Sequence, residues 1–204
     1  MSGGGNPAGF DTDPFDADYA IRFPQCVSIV DVSKIQGQVA LFDQLLNHDE
    51  TTKIVDVGHR FYRDFLNTID EIGFIDEAAP AMVQPIFIFH SVGSEVSLRE
   101  SLSLMRRWPK ICVVVAYNKG VLSSGVPHAL SALPSPKRFI FGALDSVARK
   151  CFEAIDFSLT DFILRPPLEM SFVTHMALRI WTKAVFDQFR LFEIGMAVQG
   201  DRRL

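Results

Sequence analysis

The chain predicts an α/β fold, a mostly parallel sheet flanked by helices. Three observations carry this expectation. Short apolar runs rich in β-branched and aromatic residues recur along the chain. Segments with helical apolar spacing lie between them. The runs are nearly continuous in apolar residues instead of alternating with polar ones. Continuity of that kind suits strands covered by helices on both faces. Strand and helix taken in turn indicate βαβ units with right-handed crossovers.

The runs are Val27 to Val32, Lys53 to Val57, Pro85 to Phe89, Ile111 to Ala116 and Arg138 to Phe141. The first helical stripe between them is Val39, Phe42, Leu45 and Leu46. The second is Phe61, Phe65, Leu66 and Ile69, with Gly73 placed to stop it. Leu98, Leu102 and Met105 form the third, and Pro109 follows. Arg165-Pro166-Pro167 reads as a stiff connector. After it comes one long amphipathic helix, expected over 171–196. Its stripe of Phe172, Met176, Ile180, Ala184, Val185, Phe189 and Phe192 is expected to pack within the domain.

A chain of 204 residues suits one domain with a real core, expected to span 1–204 behind a flexible glycine-rich lead at 1–9. With 48% hydrophobic and 22% charged residues it is globular in composition, not disordered. A net charge of −4 offers no electrostatic case for non-specific nucleic-acid binding. Cys26, Cys112 and Cys151 are too scattered for a disulfide framework or a zinc site. They read as buried thiols in a reducing compartment. No apolar run approaches the ~20 residues that span a bilayer. No secretory signal opens the chain, so the expected location is cytoplasmic.

In open parallel sheets, ligands bind at the carboxyl ends of the strands. At those ends stand Gly9-Phe10-Asp11-Thr12-Asp13-Pro14, Asp56-Val57-Gly58, His90-Ser91 and Tyr117-Asn118-Lys119-Gly120. An apolar strand ending in Asp can present a carboxylate to magnesium beside bound phosphates. An aspartate in the same place is also a common helix cap or turn residue. Ser94 and Ser101 lack the Gly-x-Ser-x-Gly elbow of a hydrolase nucleophile. His90 and Lys119 read as a core-edge histidine and a solvated loop lysine.

The ordered set GFDTDP, KIVDVG, PIFIFHSVGSEVSLRES and ICVVVAYNKG resembles the ParA/MinD-type P-loop ATPases. The resemblance is closest to the plasmid mobilisation and stability subgroup, StbB/TraL-like. It implies a P-loop NTPase-like fold, with Asp13 positioning the hydrolytic water and Asp11 supporting it. It also implies Asp56 on the magnesium side and Asn118 at the nucleotide base. ATP and Mg2+ would be the cofactors, and a homodimer or another protein the partner. The family opens with a strand, central in the sheet, and a glycine-rich loop ending in Gly-Lys-Ser/Thr. This sequence shows neither. Gly3-Gly4-Gly5 has no Lys-Ser/Thr after it and reads as a tail.

The expectation is therefore a ParA/MinD-like nucleotide-binding protein of plasmid maintenance or DNA mobilisation, not a competent ATPase as it stands. The alternative is a non-catalytic interaction module that kept the fold and lost the nucleotide.

Overall fold

The computed structural model describes residues 7–92, 94–120, 133, 137–154, 158–165 and 169–200. Gly3, Gly4, Gly5, Pro166 and Pro167 lie outside the described residues, whereas Ala8 and Gly9, expected in the flexible lead, belong to a strand. The chain falls into two compact units, Met1–Pro85 and Ile86–Leu204. Each carries its own three-stranded, all-parallel sheet flanked by helices.

The first unit runs β1 (Ala8–Asp11), α1 (Asp18–Arg22), β2 (Val27–Ile29), α2 (Ile35–Leu46), β3 (Lys53–Asp56), α3 (Tyr62–Glu71) and α4 (Phe74–Ala78). Its strand order is β2-β1-β3, so β1 is central. The step from β1 to β2 and the step from β2 back past β1 to β3 run in opposite directions. Right-handed crossovers therefore send α1 and α2 to opposite faces.

The helical core of this unit follows the apolar spacing. Phe65, Leu66 and Ile69 of α3 are buried as their period requires. Phe42 of α2 stacks on Phe65 and tilts against Phe74, with ring centroids 5.6 and 5.3 Å away. Gly73 ends α3 with φ of 66°. Only a residue without Cβ adopts that backbone at little cost.

The second unit contains β4 (Ile86–Ser91), α5 (Glu95–Arg107), β5 (Cys112–Asn118), β6 (Arg138–Phe141), α6 (Ser146–Glu153), α7 (Leu159–Leu164) and α8 (Phe172–Gly200). The order is β4-β5-β6. Strand β5 is buried on both faces, and its side chains alternate between two clusters. Val114 and Ala116 pack with Phe139 and with Phe192 of α8. Val115 and Tyr117 pack with Leu98 and Met105 of α5. Here the continuous apolar run means what it was expected to mean.

Strands β3 and β4 depart from that expectation. Ile54, Ile86 and Ile88 keep more than two fifths of their surface exposed. Both strands stand at the edge of their sheets, so each has a single strand neighbour among the described residues to help cover it.

Helix α8 is the larger correction. Ser171 accepts a hydrogen bond from the Thr174 N–H at 3.1 Å and caps its start. The helix then continues to Gly200, beyond the expected end. Its buried side holds Thr174, Leu178, Thr182 and Phe192, with Phe189 packed beside them. Phe172 and Ile180, expected inside, are 76% and 65% exposed. At 3.6 residues per turn, Ile180 and Phe189 stand about 180° apart, so the expected stripe joined two opposite faces. The three cysteines are free and half-buried, not fully buried. Burial holds the Cys112 thiol above its ordinary pKa.

Candidate functional site

The carboxyl edge of the first sheet gathers three of the expected site residues. Strands β1 and β3 run parallel with Asp11 paired to Asp56, which places both side chains on one face. The Thr12 N–H donates to the Asp56 carbonyl at 3.0 Å. Its hydroxyl accepts from the Gly58 N–H at 3.2 Å. These bonds tie the end of β1 to the turn after β3.

Gly58 lies directly against Asp13. A Cβ at position 58 would come within 2.8 Å of the Asp13 carboxylate oxygen Oδ2. A side chain there would displace the carboxylate or open the turn. The glycine of Asp-Val-Gly is thus required by close approach, not by backbone strain.

Asp11 and Asp13 are almost wholly buried, and three of their four carboxylate oxygens accept from local N–H groups. Asp11 Oδ1 accepts from the Asp13 N–H at 3.1 Å. Asp11 Oδ2 accepts from the N–H groups of Tyr19 and Ala20 at 3.1 and 3.2 Å. Its carboxylate thereby caps the first turn of α1, whose own N-cap, Ala17, has no side-chain acceptor. Asp13 Oδ1 accepts from the N–H groups of Phe15 and Asp16 at 3.0 and 3.2 Å, an Asx turn. Asp56 differs from both in being exposed at its strand end.

Tyr19 belongs to this edge, and the sequence reading passed over it. Its phenol lies over β1 at Gly9, where a Cβ would come within 2.8 Å of the hydroxyl oxygen. Burial chiefly, then the neighbouring Cys26, Asp56 and Asp11, hold the phenol pKa above its ordinary value. The available signal was the pairing of a bare glycine in a strand with a tyrosine on the following helix.

Asn118 belongs to the second unit. It ends β5, exposed, and its Oδ1 accepts from the Gly120 N–H at 2.8 Å, closing a turn. The serines after β4 are architectural. Ser94 caps α5 by accepting from the Ser97 N–H at 3.2 Å. Ser101 donates to the Leu98 carbonyl at 2.8 Å.

The residues present do not fit magnesium-ATP. Among the described residues, no group of three or more His, Cys, Asp or Glu side chains could hold a metal ion. Magnesium can do with one or two carboxylates when phosphate oxygens complete its shell, and Asp56 could serve as one. The 204 residues contain no Gly-Lys-Ser/Thr to cradle those phosphates. No family model, curated protein or solved structure matches the chain.

Proposed function

We propose that this protein is a non-catalytic interaction module with a ParA/MinD-like architecture, acting in plasmid maintenance or DNA mobilisation without turning over ATP. One observation carries the reading. The carboxylates at the end of β1 serve as backbone caps, with both oxygens of Asp11 and one of Asp13 bound to local N–H groups. A water-positioning carboxylate needs a free oxygen aimed at the reacting phosphate; Asp11 has none, and the remaining oxygen of Asp13, Oδ2, lies against Gly58. Phosphoryl transfer is chiefly positioning and charge stabilisation, and buried carboxylates without a basic cradle repel a triphosphate.

A second reading, a nucleotide-binding protein of the same type, draws on a different observation. Asp11, Asp13 and Asp56 do converge at the carboxyl end of parallel strands. That is where open α/β sheets take their ligands.

Calorimetry with magnesium-ATP and steady-state phosphate release separate the two. The interaction-module reading expects no binding below about 1 mM, some 4 kcal/mol, and no turnover that Asp13→Ala or Asp56→Ala removes. Saturable binding lost in Asp56→Ala, or turnover abolished by Asp13→Ala in a variant that remains folded, decides for the second.

A further inference from the structure

Helix α8 has two faces, and the fold of the second unit uses one of them. Two side chains set its rotation. The Gln188 amide brackets Ile140 of β6, accepting from its N–H at 2.6 Å and donating to its carbonyl at 2.9 Å. The Trp181 indole N–H donates to the Gly142 carbonyl at 2.7 Å. With that side held to β6, another row turns outward: Val173, Ile180, Ala184, Asp187, Leu191 and Ile194, all exposed.

From Ile180 onward the row advances in steps of four, three, four and three residues. That is the heptad seam by which one helix packs along another. A single surface helix has no reason to repeat it on its solvent side, where polar residues are the norm. From Val173 to Ile194 the row runs about 32 Å at 1.5 Å per residue.

We propose that this face of α8 pairs with the same face of a second copy of the chain, the two helices antiparallel. The inference does not depend on the nucleotide question. Its register follows from the one charged residue in the row. A parallel pair would set Asp187 against Asp187 of the second copy, like charges across a packed seam. An antiparallel pair sets Asp187 against the small Ala184 of the second copy and Leu191 against its Ile180. Lys183, one residue from Ala184, then stands beside the opposing carboxylate. Within each chain Lys183 already pairs with Asp187 at 2.5 Å, with both side chains more than half exposed. Charge and size are thus self-complementary under a two-fold axis, as an isologous interface requires.

A membrane surface suits the face poorly. A membrane-surface helix carries a strongly basic polar side and an uninterrupted apolar one. Here Asp187 interrupts the apolar row, and Glu193 borders it.

Sedimentation of the full chain should show a reversible dimer with Kd on the order of 10 μM. Leu191→Glu should weaken it at least about tenfold while leaving the circular dichroism unchanged, since the side chain is exposed. Asp187→Lys should also weaken it, and Lys183→Asp added to that variant should restore it. Oxidation of mixed Ile180→Cys and Leu191→Cys proteins should give a crosslinked heterodimer, and neither variant alone should crosslink through the new thiol. A chain that stays monomeric at about 200 μM would overturn the proposal, as would a dimer indifferent to Leu191→Glu. Self-crosslinking of Ile180→Cys would overturn the antiparallel register. A monomer that sediments with anionic phospholipid vesicles would assign the face to membrane instead.

Discussion

Strands β1 and β5 hold equivalent central places in their own three-stranded sheets, yet they are stabilised by different means. Strand β5 is apolar throughout its buried stretch from Val113 to Tyr117, and helices cover both its faces. Strand β1 is four residues long and leads into a buried polar run, Asp11-Thr12-Asp13. Its neighbours are held by hydrogen bonds from that run to α1, to the next turn and to Gly58. The second sheet therefore rests on area removed from water, the first on polar groups that each need a partner. Buried polar networks tolerate loss of one member badly, because the abandoned donors remain buried.

The largest effect expected from this contrast is in the apolar sheet. Phe139 of β6 is buried and meets Phe189 and Phe192 at centroid distances of 4.6 and 5.7 Å. Phe139→Ala should destabilise the second unit by about 3–5 kcal/mol, from lost transfer and the cavity left behind. Both tryptophans of the chain, Trp108 and Trp181, lie in that unit. Urea unfolding followed by tryptophan fluorescence reads it directly. A loss below about 1 kcal/mol would mean that β5 and β6 are not the apolar anchor described.

The next effect compares two aspartates that cap helices. Asp11 serves three backbone N–H groups from a buried position. Asp145 serves two, those of Val147 and Ala148, from an exposed one. Asp11→Ala should cost about 2–4 kcal/mol, because the donors it leaves are out of reach of water. Asp145→Ala should cost about 1 kcal/mol, the ordinary loss of an N-cap. Hydrogen exchange at the Tyr19 and Ala20 amides should accelerate in the first variant, and that at Val147 and Ala148 in the second. Equal costs would remove the distinction between a polar network and a surface cap.

The legibility of these regions in the sequence follows the same division. Strands β5 and β6 were plain, because burial on both faces writes itself as an unbroken apolar run. Strands β2 and β3 were placed to within a few residues by their β-branched runs, although both stand at the sheet edge and leave Ile29 and Ile54 exposed. Strand β1 has no such run and drew notice only through its Asp-x-Asp ending. The expected stripe of α8 merged its two faces, because successive four-residue steps drift around the helix until Ile180 and Phe189 stand opposite, and spacing alone does not show which face meets the core. Gln188 and Trp181 settle that by reaching the backbone of 140 and 142, partners more than thirty-five residues away in sequence. At the candidate site, the acidic strand ends were legible as residues. Their employment as caps was not, since it depends on where α1 begins and on the close approach of Gly58.

The smallest effect is also the most selective for the first sheet's edge. Tyr19 keeps its proton more firmly in the folded chain than when unfolded, through burial first and then the fields of Cys26, Asp56 and Asp11. A raised pKa means that the folded state binds the proton more tightly. The stability this contributes is whole below the unfolded tyrosine value, about 10. It is lost as pH rises through the higher folded value. Tyr19→Phe should therefore change stability by less than about 1 kcal/mol at neutral pH and flatten the loss of stability above pH about 10. Other tyrosines and lysines titrate in the same range, so the difference between parent and variant is the quantity to follow in urea unfolding at stepped pH. Asp56→Asn should recover part of that difference, because it removes one of the charges opposing ionisation. Curves for parent and Tyr19→Phe that stay parallel to pH about 11 would separate the phenol from the acidic edge. An effect of Tyr19→Phe untouched by Asp56→Asn would place Asp56 on the opposite face from Asp11.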